Sequence, residues 1–300
     1  MSDDLSETKN TPLRRDMRTL QRMLLDGQTS SAIELSGSLL MRSRSKDERD
    51  PFSEARIRME RALIGAVEPS MVGAELRWCV DRLNALHQGS SLHGISLLNL
   101  AAWHRNRGES MMALATHAEI SPSSGHPDDI RGLSRLETGR IMIGLDDLDP
   151  AMRHLWVAKE CLSQTGLEAE ALASSLEWLD LALEEIDENS PRMSQRVSQA
   201  APREEGGSTW VPANPEDVRE IVESLIPILL DDVSGRDRID IGLILDASVA
   251  LGENSWHQLV SDRISEIQDP SLLEALQSCC LLYTSPSPRD GLLSRMPSSA

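Results

Sequence analysis

Seven histidines and four cysteines are the residues of this sequence best suited to catalysis or metal binding. Among the histidines, no two lie four residues apart as helical zinc ligands would, and no cysteine pair has zinc-ligand spacing. The glycine-rich stretch REEGGST has no lysine and follows no strand, so it does not resemble a phosphate-binding loop. The sequence therefore predicts no catalytic residue, no metal, no cofactor and no enzymatic activity.

Two of the cysteines, Cys79 and Cys161, lie within apolar helical patterns and are expected to be buried small hydrophobic residues.

The first ten residues, MSDDLSETKN, are acidic and polar, unlike a secretory signal. No apolar run approaches the ~18 residues that a membrane span needs. We therefore expect a cytoplasmic protein that binds no membrane.

Composition favours an all-α protein. Aromatic residues make up only 3% of the chain, which is rich in the helix formers Leu, Ala, Met, Glu and Arg. The net charge of −18 would repel nucleic acid. One basic stretch, LRRDMRTLQR, spreads its arginines over more than one helical face, so we expect no nucleic-acid partner.

Apolar patterns of helical period alternate with glycine-marked turns along most of the chain. Asp50 with Pro51, and Asn214 with Pro215, predict two helix starts. Large aromatic rings pack well between helices, so we expect Trp103, Trp156 and Trp178 to be largely buried. Composition predicts these bounds: a disordered lead 1–11, a helical array 12–187, a flexible linker 188–214, a smaller helical section 215–278 and a disordered tail 279–300.

The array resembles tetratricopeptide (TPR) repeats, which are antiparallel helix pairs stacked as an α-solenoid. The resemblance covers residues 12–187. Gly139, Ala151 and Ala158 are small residues at the family's separations of twelve and seven. Two other segments match in part, through Gly27 with Ala32 and through Ala101, Gly108 and Ala113. The intervals between these alanines depart from the ideal period of about 34 residues, so helix-pair repeats of another type remain an alternative.

The resemblance implies a groove lined by the first helix of each pair. In this register the groove residues are Ile95, Leu98, Ala102, Arg105, Leu133, Leu136, Arg140 and Ile143. Apolar positions interleaved with arginine suit a partner helix or an extended acidic peptide, although part of this surface could instead be core. The predicted function is a non-enzymatic protein-interaction scaffold. The alternative is a docking or regulatory part of a larger enzyme or signalling protein whose catalytic domain is expected to be lost by truncation of the sequence.

The last residues do not resemble protein sequence. CLLYTSPSPRD and SRMPSSA resemble the translation of constant sequencing-library adapter blocks, and GLL lies where a variable barcode would fall. This interpretation explains why the single tyrosine of the chain, Tyr283, lies in a Ser/Pro-rich tail. We therefore expect residues 280–300 to be an artefact and the natural sequence to diverge near Ser278.

Overall fold

The computed structural model describes residues 11–198, 210–231 and 233–276. Within these ranges the chain is helical, and the only β-type pairing is an isolated parallel bridge between Ile186 and Ala213. The predicted all-α fold class is confirmed. Most of the predicted lead 1–11 and the whole predicted tail 279–300 lie outside the described residues.

The chain divides into two compact units, Met1–Ile141 and Met142–Ala300. In its described residues, 11–141, the first unit contains six α-helices and most of a seventh, whose last residues pass the division. They are α1 (Pro12–Leu25), α2 (Thr29–Arg44), α3 (Pro51–Leu63), α4 (Val72–His87), α5 (Ser91–Asn106), α6 (Ser110–Ala118) and α7 (Asp128–Gly144). From α1 to α6, each helix packs against the next one in sequence. This consecutive packing is the arrangement predicted for helix-pair repeats.

Local sequence signals set the helix ends. The Asp50 carboxylate accepts hydrogen bonds from the backbone N–H groups of Phe52 (3.1 Å) and Ser53 (3.2 Å), and Pro51 opens α3. Asn214 caps a later helix in the same way. Both predicted helix starts are therefore confirmed. Gly108, between α5 and α6, has a φ of +75°, a left-handed conformation that glycine adopts without steric cost.

The first unit contains two apolar clusters. One lies among α1, α2 and α3 and includes Leu13, Leu20, Ala32, Leu39 and Ile57. The other spans α3 to α7 and includes Met59, Leu76, Cys79, Leu97, Leu100, Ile120 and Ile130. Ala32, Ala101 and Ala113, three alanines that carried the repeat resemblance, are fully buried. The small-residue signature therefore marks helix packing, as the resemblance implied.

Six further α-helices are bounded within the described part of the second unit. They are α8 (Leu148–Leu162), α9 (Glu168–Ala182), α10 (Met193–Arg196), α11 (Pro215–Leu229), α12 (Ile241–Leu251) and α13 (Asn254–Ser261), and residues 270–276 are also helical. The α8–α9 and α12–α13 neighbours pack as pairs, and α11 contacts both α9 and α12. Trp156 (2% exposed) and Trp178 (0%) lie inside this unit with ring centroids 5.2 Å apart, as predicted. Trp103, in the first unit, is only partly buried.

The first part of the predicted linker packs against other elements of the second unit. We call these residues, 188–198, the strap. Its Met193 is fully buried, and the Met193 N–H donates to the buried Asp217 carboxylate at 2.6 Å. Arg192 also pairs with Asp217. The strap is thereby attached to the first turn of α11.

A second anchor joins the strap to α8 through buried charges. The Arg196 side chain is 2% exposed and forms an ion pair with Asp149, whose side chain is 6% exposed. Arg153 donates to Asp149 at 2.9 Å and to the Arg196 carbonyl at 2.6 Å. These contacts differ from the predicted flexible linker over its first residues, while residues 199–209 lie outside the described ranges. The division into two units falls within α7, and the predicted domain bounds stay a prediction.

Candidate functional site

Helix α5 presents a partly apolar stripe on its exposed side. Ile95 (38% exposed) and Ala102 are exposed, Leu98 is partly buried, and Arg105 ends the stripe with its side chain 44% exposed. The opposite face of α5 buries Leu97, Leu100 and Ala101. Positions three and four apart lie on one side of a helix, so the four predicted α5 residues share one surface.

Helix α7 supplies the remaining predicted residues. Leu133 and Ile143 are partly buried and Arg140 is exposed, with 38% of its side chain accessible. Leu136 is only 2% exposed and belongs to the interior. Leu136 therefore offers a partner almost no surface. The sequence analysis left open that some of the groove residues belong to the core, and Leu136 does.

A close contact between the Gly94 backbone of α5 and the Ile130 side chain of α7 joins these two helices. A Cβ atom built on Gly94 would lie 2.4 Å from Cγ2 of Ile130 and 3.2 Å from Cδ2 of His126. Real Cβ atoms do not tolerate the shorter distance, so this contact requires glycine at position 94. The glycine thus sets how closely the two site helices pack.

We predict that Gly94→Ala destabilises the protein by about 1–3 kcal/mol, because the added methyl overpacks the α5–α7 contact. Alanine also favours helix over glycine by up to about 1 kcal/mol, which makes the net cost smaller than the clash alone. Urea unfolding monitored by circular dichroism measures the change. Gly144→Ala is the matched control, because Gly144 is also helical and a methyl group added there would meet no atom within 4 Å. Equal or greater stability in Gly94→Ala would contradict the packing argument.

One carboxylate brings together the two arginines predicted for the groove. Arg105 of α5 forms an ion pair with Glu137 of α7, and Arg140 reaches the other oxygen of Glu137 at 2.8 Å. The Glu137 side chain is 28% exposed. The cluster carries one net positive charge at the end of the apolar stripe. An acidic group on a ligand would meet two guanidinium groups here, with Glu137 as its internal competitor.

The histidines near this surface are interior groups. His117 is 3% exposed, its Nδ1 lies 3.1 Å from the Ser134 hydroxyl, and burial lowers its pKa to about 4. Ser134 is fully buried, so this pair cannot meet a substrate. His93 and His126 are each 3% exposed and form a hydrogen-bonded pair with Nδ1 and Nε2 3.1 Å apart. Burial, followed by the neighbouring His126, lowers the pKa of His93 to about 4.

No group of three His, Cys, Asp or Glu residues in the described ranges could hold a metal ion. Across the same part of the chain, no helix has the length and apolar character to cross a membrane.

Sequence reasoning missed Glu137. Glu137 lies three residues before Arg140, a spacing at which opposite charges pair on a helix. The sequence therefore contained a signal for this ion pair. The contact between Glu137 and Arg105, 32 residues away, has no local signal because it depends on how α5 packs against α7.

Comparison with known proteins adds little to this description. No family model and no curated protein match the sequence. Among solved structures, one match is a putative kinesin light chain with nearly identical TPR-like repeats from Podosopora anserina. It is 13% identical, covers 79% of this chain and all of its own, and has a TM-score of 0.43. A Q17M form of that protein is 14% identical, covers 89% of this chain and 93% of its own, and has a TM-score of 0.27.

Scores this low carry no argument about function. Over the described residues, the chain's own packed helix pairs and buried small residues define it as an all-α helical-repeat protein.

Proposed function

We propose that this protein is a non-enzymatic scaffold that binds a peptide or a partner helix on the exposed surface of α5 and α7. The partner carries apolar side chains and at least one acidic group. The observation that carries the proposal is the stripe formed by exposed Ile95 and Ala102 with partly buried Leu98, which runs towards the Arg105–Glu137–Arg140 cluster.

The spacing of the stripe fits a linear ligand. A rise of 1.5 Å per residue places Ile95 and Arg105 about 15 Å apart along α5. A partner helix of three turns, or an extended segment of about five residues, spans that length. Apolar contact along the stripe supplies affinity, and the arginines fix the orientation of the acidic end.

The charge cluster has a defined part in this proposal. An incoming carboxylate displaces or shares Glu137 and accepts hydrogen bonds from Arg105 and Arg140. Because these side chains remain partly exposed, solvent screens the pair and the binding is expected to weaken with added salt.

A photoreactive residue at Ala102, which is exposed, can identify the partner by cross-linking and mass spectrometry. Calorimetry with the cross-linked segment as a synthetic peptide then measures affinity. We expect Arg105→Glu with Arg140→Glu to weaken binding by about tenfold or more, since two attractive charges become repulsive.

The matched control is Arg15→Glu with Arg22→Glu, two exposed arginines of α1, which changes the net charge by the same amount. Equal affinities in wild type and the α5–α7 double variant would contradict the proposed surface and leave the fold assignment intact.

A further inference from the structure

A cavity of about 290 Å³ lies among α2, α3, α4 and the connection between α3 and α4. It is lined by Leu40, Arg44, Arg58, Arg61, Val67 and Glu75. Three of these six side chains are arginines, although acidic residues outnumber basic ones by 48 to 30 in the chain as a whole. The cavity therefore concentrates positive charge, although the chain as a whole carries net negative charge.

Arg61 is held in place by hydrogen bonds to neutral groups only. It donates to the Ser36 hydroxyl at 2.9 Å, to the Ala66 carbonyl at 3.2 Å and to the Ile33 carbonyl at 3.4 Å. Arg61 is partly buried, and it forms no ion pair with any residue in the described ranges. The Glu75 carboxylate attracts Arg61, but both of its oxygens accept hydrogen bonds from Arg58. Among the described residues, Arg61 therefore has no ion-pair partner of its own, and an anion in the cavity would supply one.

Arg58 is fixed beside Arg61. Its guanidinium lies 3.7 Å from the centre of the Trp78 ring, and it donates to both Glu75 oxygens, at 2.6 and 2.7 Å. Two of the three cationic groups are thus positioned before any ligand arrives. A site built in this way loses little side-chain entropy on binding.

Arg44 completes the cation set at the solvent edge. Its Nε donates to Glu54 at 2.7 Å, and its side chain is 48% exposed. No hydrogen bond from its two terminal nitrogens appears within the structure's described portion. Counting Glu54 and Glu75 against the three arginines leaves one excess positive charge around the cavity.

We propose that this cavity binds a phosphate group. A phosphate presents several acceptor oxygens at once, which suits three guanidinium groups arranged around one space. Free phosphate and a phosphate ester offer the same chemistry here. The proposal is independent of the peptide surface, because none of the cavity residues lies on α5 or α7.

Calorimetric titration of the full chain with inorganic phosphate and with O-phosphoserine, at pH 7.5 and matched ionic strength, tests the proposal. We expect saturable one-site binding of at least one probe. Binding of phosphate alone would identify the free ion as the ligand, and preferential binding of phosphoserine would identify an ester.

Arg44→Gln is expected to weaken binding about tenfold or more, because a charge-assisted hydrogen bond is lost. Glu75→Gln is expected to strengthen binding, because it removes the internal competitor and frees Arg58. Arg15→Gln, at an exposed position of α1, removes the same charge elsewhere and should leave binding unchanged. Failure of both probes to bind wild type, or equal losses in Arg44→Gln and Arg15→Gln, would overturn the proposal.

Discussion

Asp149→Ala is expected to lower the free energy of unfolding by about 3–5 kcal/mol, the cost of leaving a buried charge without its partner. Asp149 pairs with Arg196 and accepts from Arg153 at 2.9 Å. The Arg196 side chain is 2% exposed, so water cannot replace the lost carboxylate without local opening. We expect that opening to release the strap from α8. Urea unfolding gives the energy, and hydrogen exchange at residues 190–198 locates the opening.

Two further variants test whether loss of the buried charge pairing causes the drop in stability. Asp149→Ala with Arg196→Met removes the two charges of the buried ion pair and leaves Arg153, whose side chain is 15% exposed, with its hydrogen bond to the backbone carbonyl of residue 196. The double variant should therefore recover part of the stability lost in the single one. Glu216→Gln is the control for an exposed ion pair, because Glu216 and Arg219 have side chains 57% and 33% exposed. We expect a change within about 0.5 kcal/mol there. If the single Asp149 variant were no more costly than Glu216→Gln, the buried anchor would not contribute to stability.

Helix starts were predictable because their causes are local. Asp50 caps α3 through N–H groups two and three residues later, and Pro51 is compatible with a first turn that leaves its N–H unbonded. The apolar stretch RIDIGLIL enters α12 at Ile241, because its apolar residues continue at helical spacing. The residues that cap a helix, and the apolar residues that repeat along it, lie within a few positions of one another. A single sequence therefore suffices to identify them.

The strap was not predictable in this way. Prolines, serines and glycines between residues 188 and 214 indicate a linker, whereas the packing of its first part depends on Arg196 reaching Asp149, 47 residues earlier. A buried ion pair leaves no periodic pattern in the sequence. Composition alone therefore predicts a flexible segment. The pairing of Arg196 with Asp149 nevertheless attaches this segment to α8.

The candidate site shows the same contrast between local and distant causes. The α5 stripe follows from helical spacing, and the structure places its four residues on one side. The prediction of Leu136 as a surface residue depended on which sides of α7 are covered, and α7 buries residues from Ile130 to Ile141 on more than one side. Likewise, the arginines of the cavity come from α2 and α3, and only their packing brings them around one space.

Acidification from pH 7.5 to pH 5.0 is expected to destabilise the fold by about 2 kcal/mol for each of His93 and His117. Burial lowers the pKa of both to about 4 from an ordinary value of 6.5. Between these values the unfolded chain binds protons that the folded chain excludes. Stability therefore rises with pH in this window and is lost as pH falls through it. Urea unfolding at intervals of half a pH unit measures the slope.

Two carboxylates with shifted pKa values act differently from the histidines. Burial raises the pKa of Glu60, so its protonation in the folded state opposes the histidine slope. The pKa of Glu75 is lowered by its hydrogen bonds from Arg58, so its contribution is lost only below the ordinary glutamate value of 4.5. His117→Gln removes one titrating group, and we expect its slope between pH 6.5 and 5.0 to fall by about one proton. His87→Gln, at an exposed position, is the matched control and should keep the wild-type slope. Identical slopes in the two variants would show that His117 titrates normally in the folded protein, and its burial among α6 and α7 would then be wrong.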